Sequence, residues 1–429
     1  MKIKKLIFTL TIGIQSIIGF SQDYYLHCGT IIDVLTGKEI KNATIIVSKN
    51  KISKISDGFI PKSSANDIEV NLKNNYVLPG LIDLHVHLEN EQNPKSYASK
   101  YINNEADVAF EAAHFAEITL MAGFTTVRDL GGTGVNIALR NAINKGIAKG
   151  PRVYTAGKSI ASTGGHADPT NGSNRSLMGD PGPHEGVVNS PEDGVKAVRQ
   201  RYKEGADVIK ITATGGVLSV AKNGKNPQFS IEEIKAITTT AKDYNMLTAA
   251  HAHGDEGMQR AILGGIKTIE HGTFMSEETM ELMKKYDSYL VPTITAGKEV
   301  ALKAEVAGFY PDIIVPKARE VGPQLQSTFA KAYKKGVKIA FGTDAGVFDH
   351  GKNGKEFGYM VEAGMPALAA IQSATITNAM LLGVANEIGQ IKPAFFADII
   401  AVEENPLNNV KTLEKVQFVM KNGVIYKSL

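Results

Sequence analysis

Cysteine is almost missing from this chain. Cys28 stands alone among 429 residues, so no intramolecular disulfide can form in any redox compartment. Stability must come from a core, and a chain of this length can bury one large domain, or a large one beside a small one. An excess of charge is missing too. The formal net charge is +3, and Lys2, Lys4 and Lys5 account for it, since no acidic residue precedes Gln22. The remainder is near neutral, which argues against nucleic acid as a partner. After Phe20 no apolar run is long enough to span a bilayer, and no low-complexity tract or solenoid repeat occurs.

What is present begins with a leader. The lysine tip is followed by an apolar run from Leu6 to Phe20 that closes on Gly19-Phe20-Ser21, with small residues at minus three and minus one. That is the form of a secretory signal peptide, residues 1–21, cleaved after Ser21. His27 before Cys28 does not suit a lipoprotein site. The expected product is exported, periplasmic or secreted, with no stable membrane anchor.

Both ends of the remaining chain are rich in short strands. Cys28–Val34, Ala43–Val47 and Lys51–Ile55 lie near the start, and Asp398–Val402, Val416–Met420 and Val424–Tyr426 near the end, the last two joined by a Lys421-Asn422-Gly423 turn. These ends, 22–77 plus 388–429, are expected to form one small β-sandwich domain. Residues 78–387 instead alternate strand and helix. The strands are Leu81–Leu88, Phe124–Asp129, Val153–Ala156, Asp207–Ile211, Leu247–His251, Lys267–His271, Tyr289–Thr293 and Val337–Asp344. Helices fall between them, Pro191–Glu204 and a capped Ser230–Asp243 included, with a single long helical region expected over 297–335. Eight such units describe an α/β fold of the (β/α)8 TIM barrel type, with a doubly wound open sheet as the alternative.

The stretch Leu78-Pro79-Gly80-Leu81-Ile82-Asp83-Leu84-His85-Val86-His87-Leu88 is aliphatic apart from a few groups. Side chains two apart on a strand share a face, so His85 and His87 point together. That is half of a metal site, or else a pair of hydrogen-bonded core histidines. The other strands decide between these readings. Lys210 ends the fourth strand, His251 the fifth, His271 the sixth and Asp344 the eighth. Catalytic groups of such barrels sit at the carboxyl ends of the strands. Four imidazoles and a carboxylate suit Zn²⁺ or a similar divalent ion.

This pattern resembles the amidohydrolase superfamily over nearly the whole mature chain. Ser162-Thr163-Gly164-Gly165-His166, Ala250-His251-Ala252-His253-Gly254, Glu270-His271-Gly272 and Gly342-Thr343-Asp344-Ala345-Gly346 are similar to the branch of Xaa-Pro dipeptidases and metal-dependent carboxypeptidases, often labelled imidazolonepropionase-like. Lys210 argues against a true imidazolonepropionase, and Phe229 stands where some relatives carry tyrosine. The resemblance implies two metal ions, with His85, His87 and Asp344 on the more buried one and His251 and His271 on the other. It also implies that Lys210 bridges them as a CO₂-derived carbamate; the alternative is an ammonium paired with an acid.

Two such ions can share a hydroxide that attacks an amide carbonyl, with Asp344 as the catalytic residue that carries the proton to the leaving nitrogen. The expected substrate is a small molecule, a dipeptide or N-acyl amino acid; a phosphotriester or lactone, or a binding protein without catalysis, are the alternatives. His166, Arg175 and His253 are candidate substrate contacts, with Lys222 and Lys225 as further cations near the mouth and His350 in a nearby loop. His27, His114 and His184 have no assigned role. A homo-oligomer stays open.

Overall fold

The strand β1 (Asp23–Ile32) pairs antiparallel with β2 (Glu39–Ser48), which pairs with β3 (Lys51–Asp57). The other edge of β1 takes β4 (Ile68–Pro79) in parallel. The computed structural model describes residues 22–429, so the expected leader lies outside it. Chemistry explains why β4 escapes a sequence reading: Lys73-Asn74-Asn75 resembles a turn. Instead the register slips between Cys28 and Thr30, and a Cβ on Gly29 would come 2.1 Å from the Lys73 carbonyl oxygen. Glycine is what lets the bulged strand approach.

The chain's end completes the same sheet. The strand β13 (Ile399–Val402) pairs antiparallel with β4, and β14 (Phe418–Lys421) and β15 (Val424–Lys427) follow. Between β14 and β15, Asn422 and Gly423 both take positive φ, 49° and 74°, as a two-residue hairpin turn requires. All seven strands share one hydrogen-bonded sheet, in the order β15-β14-β13-β4-β1-β2-β3. The sequence pointed to a small β-sandwich; the strands share one hydrogen-bonded sheet, whose edge strand β3 also meets the segment before β13, the Ile52 N–H donating to the Phe395 carbonyl at 2.9 Å. Its core joins Leu26, Cys28 and Ile45 to Ile399, Phe418 and Met420.

Leu78 and Pro79 end β4, where they face Ile400 and Ile399, rather than opening the histidine strand. Through Gly80 the chain passes directly into β5 (Leu81–Val86), every residue of which is buried. A Cβ at Gly80 would meet the Thr125 hydroxyl at 2.1 Å. Then come β6 (Phe124–Asp129), β7 (Arg152–Thr155), β8 (Val208–Thr212), β9 (Leu247–Ala252), β10 (Thr268–His271), β11 (Tyr289–Val291) and β12 (Lys338–Ile339). They form two parallel sheets, β5-β6-β7 and β12-β11-β10-β9-β8. Isolated parallel bridges link the sheets at both edges, Val86 to Ala345 and Ile160 to Ile211. The molecule is an α/β fold.

The helix Pro191–Glu204 carries Pro at its first turn and Ser190 as its cap, and Ser230 with Glu233 forms a reciprocal box on Ile231–Asp243. The helical region near 297–335 divides into Ile294–Lys303 and Val315–Lys334, parted by a stretch containing Gly308 (φ 75°) and Pro311. Among the described residues, no helix is long and apolar enough to cross a membrane.

Candidate metal centre

One cavity of about 150 Å³ opens at the carboxyl ends of the parallel strands, and His85, His87, Lys210, His251, His271 and Asp344 all line it. The strand β5 delivers the first two by its period of two. Asp83 shares their face and is not exposed to solvent. It accepts from the His85 and Thr343 N–H groups (3.0 and 3.1 Å), the Thr343 hydroxyl (2.6 Å) and the Asn353 amide (2.8 Å). These bonds clamp β5 to the segment that carries Asp344.

The donor atoms converge at a spacing that suits an ion. His85 Nε2 and His87 Nε2 lie 3.4 and 3.3 Å from the same atom, Asp344 Oδ1. Ligands about 2.0–2.2 Å from a tetrahedral ion stand roughly 3.3–3.6 Å apart. Lys210 Nζ is 3.5 Å from His85 Nε2. Two buried donor sets fall within 4.8 Å, His85 with His271 and Asp344, and His251 with His253 and His271. Asp344 Oδ1 is buried with no hydrogen-bond partner, which is the state a cation relieves. The residues therefore fit divalent metal.

Bonds behind the rings orient them. His87 Nδ1 donates to the Gly131 carbonyl (2.7 Å) and His251 Nε2 to that of Gly215 (3.0 Å). A carbonyl only accepts, so the opposite ring nitrogen of each presents its lone pair to the cavity. His271 Nδ1 meets the Thr293 hydroxyl at 2.7 Å and His253 Nδ1 that of Thr273 at 2.6 Å. Behind His85 stands Glu270, whose Oε2 comes within 3.0 Å of Nδ1 but off the line of a hydrogen bond. Its other oxygen takes 2.9 Å from the fully buried Arg128.

Charge follows from burial. It presses His85 and His253 down to about 4 and His166 to about 3, and keeps His251 and His271 well below the usual imidazole value. All five rings are neutral near pH 7, the form that ligates metal. Burial also opposes charge on His87, but the Asp344 carboxylate outweighs it and raises that ring. Burial lowers Lys210 to about 8, although Glu270 and Asp344 favour its charged form. Burial works against ionised Glu270, and Arg128 overrides it, holding the carboxyl at about 2.

Of the expected substrate contacts, His166 and His253 reach this cavity and Arg175 does not. The ring of His166 lies 4.3 Å from that of His251, and its buried Nδ1 has no partner. Arg175 sits on an exposed turn and pairs with Asp180. Lys225 pairs with Glu320, Lys222 is exposed, and Phe229 belongs to the core instead of the cavity wall. His350 is a tie between loops, stacked on Phe115 with its Nε2 on the Asn90 carbonyl.

Sequence reasoning missed Glu270, Arg128, Asp83 and Thr293. Glu270 adjoins His271, and alternation along a strand would send the two to opposite faces. His271 has φ 71°, which turns its ring into the cavity beside its neighbour's carboxylate. Thr293 and Asp344 share this left-handed backbone, at φ 51° and 62°. Much of the remaining wall is aliphatic, including Val217, Leu218, Val300, Leu325 and Val347, beside Ser159, Thr212 and Thr293. A larger cavity of about 880 Å³ adjoins it and shares His87, Ser159 and Ala167.

Comparison with known proteins agrees with this geometry. Residues 76–426 match the model of the amidohydrolase family. The ochratoxinase of Aspergillus niger is 32% identical over 409 residues, which cover 91% of this chain and 84% of that protein. A solved Xaa-Pro dipeptidase with methionine bound in its active site is 51% identical, with a TM-score of 0.91 over 95% of this chain and 100% of that one. A prolidase complexed with N-methylphosphonate-L-proline is 28% identical, with a TM-score of 0.86 over the same shares. A ligand set at strand ends, matched to relatives along nearly its full length, leads to one conclusion: this chain belongs to the amidohydrolase family, metal-dependent hydrolases of carbon–nitrogen bonds.

Proposed function

We propose that this protein is an exported dipeptidase or N-acyl amino acid hydrolase with two Zn²⁺ ions. The observation that carries this reading is the position of Lys210, whose Nζ lies 3.5 Å from His85 Nε2 in the cavity that His251 and His271 also line. With its pKa near 8, Lys210 has a substantial neutral amine fraction at physiological pH, the form that captures CO₂ as an anionic carbamate. His85, His87 and Asp344 would hold one ion and His251 and His271 the other, with carboxylated Lys210 as a further anionic ligand. The bridges Val86–Ala345 and Ile160–Ile211 support closure of the eight strands as a (β/α)8 barrel, flanked by a small β-domain from 22–77 and 388–429. Export rests on the leader at 1–21.

Divalent ions bound here would supply Lewis-acid polarisation of the scissile carbonyl and a water acidic enough to attack it near neutral pH. Asp344 accepts that water's proton and passes it to the leaving nitrogen. The aliphatic wall receives an apolar side chain and keeps bulk water away. With Arg175 and Lys225 engaged in ion pairs, His166, which lines the cavity with its Nδ1 unpartnered, is a group suited to meet a substrate's polar end. Likeness to a Xaa-Pro dipeptidase and to an ochratoxinase supports a peptide-like amide.

The test is a dipeptide panel on the zinc-loaded protein, run beside N-acyl amino acids, C-terminal amides, a phosphotriester and a lactone. Dipeptides or N-acyl amino acids with an apolar C-terminal residue should be cleaved fastest, with two metals per chain by elemental analysis. Faster turnover of the phosphotriester or lactone would overturn the assignment.

A further inference from the structure

The helix Ile294–Lys303 begins abnormally. A threonine before a helix ordinarily turns its hydroxyl back onto the first free N–H groups. Thr293 occupies that place, yet makes no such bond and takes φ 51°, ψ 41°. That conformation is costly for a β-branched residue. Its hydroxyl points instead to His271 Nδ1, 2.7 Å away. The free groups are satisfied from elsewhere. Glu356, fully buried on the helix Lys355–Glu362, accepts from the Ile294 N–H (2.8 Å), the Thr295 N–H (2.7 Å) and the Thr295 hydroxyl (2.6 Å). From the other side the Thr293 N–H donates to the Gly342 carbonyl at 3.2 Å.

We propose that Glu356 is a positioning residue for His271: by capping the helix in place of Thr293, it frees the Thr293 hydroxyl to fix that imidazole. A remote carboxylate thus sets the bearing of one ring at the metal centre, through a threonine held in a strained conformation. The inference rests on the reading of His271 as a ligand. It concerns a residue 85 positions further along the chain, which makes no contact with the ions' other ligands in the bonds that define its role.

The experiment compares zinc affinity by chelator competition, and the imidazole ¹⁵N signals of His271, across variants of the full zinc-loaded chain. Glu356→Gln and Thr293→Val should each weaken one of the two ions roughly tenfold to hundredfold, the usual effect of removing an outer partner of a ligand, and leave the other within about twofold. The His271 tautomer signature should change in both. Thr293→Ser, which keeps the hydroxyl, should restore affinity and signal. The double variant Glu356→Gln/Thr293→Val should be no worse than the worse single one, because both break one chain of contacts. If Glu356→Gln does not fold, Thr295→Val removes one of the three donors and should show the same selective weakening, at smaller size. Wild-type affinity and an unchanged His271 signal in a folded Glu356 or Thr295 variant would overturn the proposal, as would additivity. His271→Ala separates the two levels of the argument. If it loses one ion while Glu356→Gln keeps both, only the positioning role is wrong; if it keeps both, the ligand reading beneath it fails.

Discussion

At Asp344 burial and charge act in opposite directions. Burial favours the protonated acid, but His85 and His87 hold the carboxyl below its usual range, so it is ionised and ready to accept a proton. Asp344→Asn keeps the size and removes that capacity. We expect kcat to fall by roughly 10²- to 10⁴-fold with substrate affinity changed only a few-fold, measured by steady-state kinetics beside equilibrium binding; near-native kcat would end the proton-carrier role. The buried imidazoles predict an acid limb of stability. His85 titrates near 4 in the fold against about 6.5 in an open chain, so the unfolded state binds more protons across that window. Stability then rises with pH between them and is lost on acidification. His253 and His350, held near 4 by burial, His166, held near 3, and His251 and His271, held well below the usual value, act in the same sense. His87 acts in the opposite one, as do the buried carboxyls of Asp83 and Glu356, lifted to about 6 and about 7. The melting temperature of metal-stripped protein should therefore fall steadily from pH 6.5 to 4, and bound zinc should shift that fall to lower pH. A flat profile over this range would show that the buried imidazoles do not dominate acid stability.

Strands are tied across the interior by one cation. Arg128 on β6 donates to the Leu84 carbonyl on β5 and to Thr268 and Glu270 on β10. Arg128→Met would leave the Glu270 carboxylate buried without its partner. Such a break costs about 3–5 kcal/mol, and the further change Glu270→Gln should recover part of it, as read by chemical denaturation. A loss under 1 kcal/mol would mean that Glu270 finds another partner. The elements differ in how legibly the sequence announces them. The histidine pair on β5, the strand Phe124–Asp129 and the helix Pro191–Glu204 follow from period, proline and cap alone. The strand β4 hides because a bulge accepts Lys73-Asn74-Asn75, and the division of 297–335 hides because its helical period continues on both sides. Glu270 and Thr293 were beyond reach for a different reason. Their roles depend on left-handed backbone at His271 and Thr293, which tertiary contacts impose against local preference.

Across the described molecule, segments far apart in sequence, Asp23–Pro79 and Ile399–Lys427, meet in one sheet, and that sheet runs through Gly80 into the strand bearing His85. Removing residues 399–429 takes β13, β14 and β15 from it and leaves the long β4 with an open edge. The truncated protein should be recovered largely as aggregate, judged by the soluble fraction after expression; full solubility with native zinc content would show the terminal strands to be dispensable. Export carries its own check: intact-mass analysis of protein from outside the cytoplasm should give a chain beginning at Gln22, and a retained leader would refute cleavage. The single thiol has a practical consequence. Cys28 is fully buried in the core of that sheet, and burial lifts it to about 12, so alkylating reagents should pass over it in the folded protein. A cysteine introduced at exposed Lys95, at the head of the Ser96–Ile102 helix beside the larger cavity, would be the sole reactive handle. A fluorophore attached there would report changes at the rim of that cavity in real time, with no native residue to remove first.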